Sequence, residues 1–442
     1  MIKSGVSNQI RMDAFVLFVF IITFRLPQLL NSSLSFMMMA SIVFFLGIYT
    51  LFIAIRSRFV IKTISKPKFF LVLLYLSIEI LAFLRAWISG VLDTNVVIRA
   101  GAPALVVIIF MFFSVSSFKS KQDLHFFMRM IIYGLVCLVL ENLLFYLMGF
   151  ESSSEYSYYV PGVLVSAIGL EIEAAVFSLE AAPKSLGNIM VFLAAISFIF
   201  FKEMKNIWLY FPMALICIGM IIVADARMYL AIILLLIVAL PFHEKLISKS
   251  YLKIYLVLFP LIPLLLIIVA SYIAEIPGFD IVARSASDNI STLSGRTDIW
   301  SSIGGEIQDA NSEILYGYGA AGMVNSGINE QVSYMFSGGW ADTGIKTAHN
   351  SILQQLLDKG LIGVIVFITL VCSLVMTFHS DKQTESRAFL YGFLALMLAS
   401  ALNTLFYYAS IESYLLFIIM MGLHISAYFN PRYLHKNFRS NE

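Results

Sequence analysis

Charge is what this sequence has least of: Asp, Glu, Lys and Arg make up 13% of its 442 residues, against 60% hydrophobic and 14% aromatic. Soluble domains carry about 25% charged residues, so a water-soluble globular chain is excluded. The net charge is only +2, and no basic tract with interleaved aromatics lies outside the apolar runs, which argues against nucleic acid as a partner. Cysteine is equally scarce. Cys137, Cys217 and Cys372 all fall inside apolar runs, with no CxxC pair, so neither a disulfide framework nor a thiol redox motif is expected. Also missing are a small-residue cleavage pattern after the first apolar run, which would mark a signal peptide, and any internal repeat.

What the sequence has in abundance is apolar runs long enough for a bilayer, about 17–25 residues each. They fall near residues 13–30, 36–55, 69–88, 96–115, 126–149, 186–201, 206–224, 227–241, 251–272, 357–377, 388–407 and 411–429. The expected fold is therefore all-α, a polytopic transmembrane bundle of about twelve spans. Residues 1–273 hold the first nine, residues 274–350 form a large outer loop, and residues 351–442 hold the last three. Lysine and arginine collect in "RSRFVIKTISKPK" (56–68), "KSKQD" (119–123), "KEMK" (202–205), "HEKLISK" (243–249), "DKQTESR" (381–387) and "PRYLHKNFR" (431–439). All lie on one side of the predicted spans, together with both termini, and cytoplasmic loops retain positive charge. The expected orientation has both termini cytoplasmic and the large loop on the outer side.

That topology sorts the histidines. His125, His243, His379 and His435 fall on the cytoplasmic side, His424 within the last span, and His349 alone on the outer side. A zinc centre needs three or four convergent ligands, so no metal site and no cofactor are expected. In "KTAHNSILQQLLDKGLIG" (346–363) the lone imidazole stands where a polar segment ends and an apolar helix begins. The unpaired N–H groups of a helix start oppose protonation, which favours a neutral ring able to accept a proton. The alternative is that His349, Asn350 and Ser351 only cap the helix.

Arg227, in "VADARMYLAII", and Arg296, in "SGRTDIW", fall on the same predicted side as His349. A guanidinium binds phosphate oxygens bidentately and keeps its charge. Two of them suit a pyrophosphate at the membrane surface; alone, each reads equally well as an interfacial anchor or the partner of Asp225 or Asp298. Ile299, Trp300, Ile303 and Ile307 recur at helical spacing, which predicts a short amphipathic helix, lying on the membrane surface or packed over the bundle. "LYGYGAAGMVNSG" (315–327) reads as a turn-rich loop closing over something. Ionisable or polar residues at membrane depth are functional candidates: Arg25, Glu79, Arg85, Arg99, Glu141 and Asn403, with Glu180 in "VFSLEAAPKSLG" at the outer end of the sixth span.

The order "ADARMYLAI", "SGRTDIW", "GYG", "AHNSILQQLLDKGLIG" resembles the O-antigen ligase and polymerase superfamily, over residues 186–380 by motif and the whole chain by topology. The resemblance implies a metal-independent glycosyltransferase. His349 would be the base on an acceptor hydroxyl, and Arg227 and Arg296 would hold the undecaprenyl pyrophosphate of the donor, with Glu180, Asn350 and Arg99 as further candidate substrate contacts. The segment around Glu180 is similar to one found in Wzy-type polymerases of repeat units, which favours polymerase over ligase. Asp225 departs from the usual pattern, where small or hydroxyl residues precede the arginine. The implied partners are a lipid-linked glycan donor and acceptor, the bilayer, a chain-length regulator and a flippase. A twelve-span transporter is the rival of another class, but transporters of this size commonly show related halves.

The alternation of positive loops generates a test. Single cysteines introduced at Ser326 and Ser440 should react with an impermeant thiol reagent from opposite sides of the membrane. Labelling of both from one side would reject the predicted topology.

Overall fold

The computed structural model describes residues 6–29, 32–57, 63–92, 94–150, 177, 186–203, 207–224, 226–262, 265, 296–309, 312–333, 347–406 and 411–429. Among them no strand occurs, only an isolated bridge between Ile64 and Ser426. Each expected apolar run contains a helix: α1 (Asn8–Thr23), α2 (Ser32–Ser57), α3 (Lys66–Ile88), α4 (Thr94–Ser116), α5 (Lys121–Leu147), α6 (Gly187–Lys202), α7 (Ile207–Val223), α8 (Arg227–Ala239) and α9 (Lys249–Leu258). After α10 (Arg296–Asp309) come α11 (Ser351–Ser380), α12 (Thr384–Ser400) and α13 (Ile411–His424). Among the described residues, five helical stretches are long and apolar enough to cross a membrane: Leu34–Arg56, Lys66–Ile88, Lys121–Leu147, Arg227–Leu246 and Ser351–Ser380. The chain is a multi-pass helical membrane protein.

The layering follows from what each helix can bury. In α6, "GNIMVFLAAISFIFFK", every residue from Gly187 to Phe200 is buried. This helix is apolar all round, so it takes the centre of the bundle, against α7, α8 and α12. Gly392 of α12 allows the close approach, since a Cβ there would lie 2.7 Å from the Phe192 ring. By contrast α2 turns Phe44, Phe45, Leu51 and Ile55 outward, a surface that only lipid can cover without cost. Charged pairs gather at the end of the bundle opposite His349. There the buried Asp381 accepts from Lys121 Nζ at 2.9 Å and Ser386 Oγ at 2.8 Å, and lies 2.7 Å from His125 Nε2, while Arg129 meets Glu385 at 2.9 Å and Arg387 meets Glu203 at 2.7 Å.

The element that positions everything at the other end is α11. At about 1.5 Å per residue it would measure some 45 Å, half as long again as the hydrocarbon core of about 30 Å. It is not one straight rod. Gly360 sits at φ 64° and ψ −167° inside it, a conformation essentially reserved for glycine. The residues after this break, 361–380, suffice to cross the membrane; the segment before it, 351–359, presents a buried polar face of Gln354, Gln355, Asp358 and Lys359. The apolar run of the tenth span is expected at 357–377, with a cap among His349, Asn350 and Ser351. The helix does start at Ser351, capped by Asn350, and the polar side chains ahead of the apolar run find partners inside the protein.

The break frees backbone carbonyls, and the loop "GYG" takes them. Tyr318 N donates to Leu357 O at 2.6 Å and Gly319 N to Asp358 O at 3.0 Å. Ala320 N donates to Ala82 O of α3 at 2.9 Å, and Arg85 donates to the Gly317 carbonyl. Gly317 (φ 73°, ψ 179°) shares the glycine-only conformation, and a Cβ on it would lie 2.3 Å from Lys359 N. The predicted loop thus closes onto a helix joint. Below it, Lys359 pairs with Glu79 and donates to Gln355 Oε1 at 2.6 Å, which fastens α11 to α3.

A Cβ at Gly360 would lie 2.3 Å from the Leu315 carbonyl, besides requiring a backbone conformation worth about 1–3 kcal/mol of strain. Gly360→Ala should therefore lower the thermal unfolding midpoint of the detergent-solubilised protein clearly. Gly219→Ala, where nothing lies within 4 Å, should leave it nearly unchanged. Equal midpoints for the two variants would show that the joint is not under constraint.

Candidate active site

His349 has φ 49°, an unusual value for a residue with a side chain. Its neighbours hold it there. Ala348 is buried, its N–H donating to Gln354 Oε1 at 2.8 Å and its carbonyl accepting from Trp300 Nε1 at 2.9 Å. Asn350, also buried, accepts at Oδ1 from Ile352 N and Leu353 N, both at 2.9 Å, and its Nδ2 donates to Ala401 O at 2.8 Å. This is an N-cap whose polar atoms are all engaged. The cap belongs to Asn350, and His349 stands one residue outside the helix with its half-buried ring hydrogen-bonded to nothing among the described residues. Strain held in place by surrounding bonds at a residue with a free functional group points to function.

Arg296 opens α10 and donates from Nε to Leu402 O at 3.1 Å. Its charge acts on His349: burial first, then Arg296, lowers the imidazole from its usual 6.5 to about 4. The ring is neutral across the physiological range, with its lone pair available. The amphipathic reading of α10 resolves in favour of packing on the protein. Ile299, Trp300 and Ile303 are buried in a small apolar core with Met323, Ile328, Val332, Ala348 and Leu357. That core seats α10 over the first segment of α11. Tyr318 belongs to the same unit and donates to Glu306 Oε1 at 2.7 Å; burial and this bond raise its phenol, so it remains a donor.

Arg227 is the first residue of α8. Tyr229, two residues on, is buried with its ring packed against Gly187, and its hydroxyl accepts from Asn403 Nδ2 at 2.9 Å. The residues after α12 thus receive bonds from Arg296 at the head of α10 and from α11 and its cap, and give one to Tyr229 of α8. Arg99 lies in α4, with its side chain outside the described residues, as are Glu180 and Asp225.

Several of these features were not anticipated from the sequence. Lys359 is an ionisable residue at the edge of an apolar run, a signal as good as that of Glu79. Of the "ALNTLF" turn (401–406), only Asn403 stood out as a polar residue in an apolar setting.

Comparison with known families bears on this region. A family model described as O-antigen ligase matches residues 212–368. Over these residues the chain is similar to the O-antigen ligase/polymerase superfamily. The matched stretch contains Arg227, Arg296 and His349 and the joint at Gly360, and stops short of the turn at 401–406. Against curated proteins the chain has no match. Members of that superfamily are glycosyltransferase-like enzymes that use lipid-linked glycans in membranes.

The depressed imidazole gives a direct test. In the full-length protein, the histidine resonance that disappears in His349→Gln should titrate below pH 5. A midpoint near 6.5 would show a solvated ring without the influence of Arg296.

Proposed function

We propose that the protein joins undecaprenyl-pyrophosphate-linked oligosaccharide repeats on the periplasmic face of a bacterial inner membrane, as a polymerase of O-antigen or a related polysaccharide. The observation that carries this reading is a neutral imidazole, hydrogen-bonded to nothing among the described residues, held at a left-handed φ under the influence of the Arg296 guanidinium. A hydroxyl of the acceptor glycan attacks the anomeric carbon of the donor sugar; the new glycosidic bond forms as the bond from that carbon to the pyrophosphate oxygen breaks. His349 takes the hydroxyl proton. Undecaprenyl pyrophosphate leaves as an anion, with Arg296 and Arg227 placed where its charge grows. Glycosidases need a second carboxyl to protonate a poor leaving group. A pyrophosphate needs none, so one base and two arginines suffice.

A base with a pKa of about 4 is weak on its own. The donor corrects this, because the pyrophosphate's negative charge offsets Arg296 and raises the imidazole towards neutrality. The acid limb of kcat, which reports the bound state, is therefore expected at higher pH than that of kcat/KM. Coincident limbs would separate the base from the pyrophosphate site.

The second reading is ligation, with the same donor and a lipid A–core acceptor, and the description of the matched family favours it. Glu180, which inclined the sequence towards a polymerase, lies outside the described residues. Transport is less well supported, since the discontinuity in α11 is filled by backbone N–H groups of Tyr318 and Gly319 rather than left open for a ligand.

Gel analysis of lipopolysaccharide from a deletion strain complemented with wild-type or His349→Ala protein separates these readings. Loss of a general base costs about 10²–10⁴-fold. For a polymerase, His349→Ala should leave single repeats on lipid A–core and no ladder; for a ligase, a bare core with polymer on the lipid carrier. An undiminished ladder would reject His349 as the base. Arg227→Lys and Arg296→Lys keep charge but lose the bidentate fork, and should impair transfer strongly in protein that still inserts.

A further inference from the structure

The turn that follows α12 is hydrogen-bonded to the elements that carry Arg227, Arg296 and the cap beside His349. Three successive carbonyls each take one donor: Ala401 from Asn350 Nδ2 at 2.8 Å, Leu402 from Arg296 Nε at 3.1 Å, and Asn403 from Ser351 Oγ at 3.2 Å. Ser351 Oγ in turn accepts from Leu405 N at 3.0 Å, and Gln355 Nε2 donates to Phe406 O at 3.2 Å. The first of these carbonyls belong to the end of α12, where C=O groups lack intrahelical partners and the helix dipole is negative. A cation such as Arg296 is drawn there, yet only its Nε is used in that bond, which fixes the plane of the guanidinium.

Arg227 reaches the turn by another route. The Asn403 amide is held from both ends: Oδ1 accepts from Thr404 N at 2.9 Å, and Nδ2 donates to Tyr229 OH at 2.9 Å. Tyr229 cannot retreat, because its ring occupies the place of a Gly187 side chain, 2.4 Å from where a Cβ would stand. The first turn of α8, with Arg227 at its head, is thereby pinned to the same six residues that hold Arg296 and the cap beside His349.

We propose that the turn 401–406, through the Asn403–Tyr229 hydrogen bond, is the positioning element that sets Arg227 in register with Arg296 and His349 for one pyrophosphate. This inference rests on the donor-binding reading above. Asn403 and Tyr229 are positioning residues, acting through Arg227 and the backbone. A brace that served stability alone would affect unfolding but not the affinity for pyrophosphate.

The test uses the full-length protein in nanodiscs with undecaprenyl pyrophosphate as the probe, in wild type, Asn403→Ala, Tyr229→Phe, the double variant, Arg227→Ala and Arg296→Ala. Removing one neutral hydrogen bond is expected to weaken probe binding about 3- to 10-fold in each of the Asn403 and Tyr229 variants. The double variant should be no weaker than the worse single, since both break the same bond. Tyr229→Phe keeps the ring over Gly187 and so preserves the fold. Wild-type affinity in the Asn403 and Tyr229 variants, with loss in the arginine controls, overturns the positioning role alone. Fully additive losses would show the two residues acting separately and overturn it as well. Unchanged affinity in the arginine controls overturns the pyrophosphate reading and this inference with it.

Discussion

A backbone carbonyl buried in the protein has no water to bond to, and this one constraint organises the functional end of the molecule. It arises twice. The break at Gly360 leaves Leu357 and Asp358 with carbonyls that receive Tyr318 and Gly319, and the end of α12 leaves Ala401, Leu402 and Asn403 to receive Asn350, Arg296 and Ser351. In both places the partner comes from a distant stretch of chain. The loop segments are therefore not draped over the bundle but bonded into it, and the small core of α10 and its neighbours adds apolar burial on top.

The two places are connected through side chains. Gln354 accepts from Ala348 N and donates to Asp358 Oδ1 at 2.9 Å, and that oxygen also accepts from Gly322 N at 2.8 Å. A chain of hydrogen bonds thus runs from the residue before His349 to the loop that fills the helix joint. Each member is buried, so leaving any one unpaired would cost a desolvation penalty of about 1–3 kcal/mol. Such networks rigidify what they connect. Lys359 and Glu79 tie the same joint to α3, where Arg85 and Ala82 hold the far side of the loop.

How much of this was legible in the sequence depends on the range of the interaction. The spans were readable because bilayer thickness writes a length into each apolar run, and α10 because Ile299, Trp300 and Ile303 repeat at helical spacing. His349 stood out in the sequence because the predicted topology left one histidine on that side. Its strained backbone was not, since the strain comes from Trp300, Gln354 and Ala401, none of them its neighbours in sequence. The pairs Lys359–Glu79 and Asn403–Tyr229 span 280 and 174 residues, and local periodicity says nothing about such partners. A glycine at 360 looked like any other in an apolar run; only its φ and ψ show that the helix ends and restarts there.

The same physics bears on how His349 stands with no carboxylate hydrogen-bonded to it among the described residues. Many catalytic imidazoles are oriented by an acidic partner that also raises their basicity. Here orientation is supplied by the backbone: Ala348 and Asn350 are bonded on either side, and His349 between them is held at a left-handed φ. Basicity is kept low by burial and by Arg296. An acidic partner would compete for the arginine with any pyrophosphate, so its place is better filled by the substrate's own charge. On the proposed reading the donor would complete the electrostatics of its own active site, and the empty enzyme would hold a ring too weakly basic to be lost to protonation.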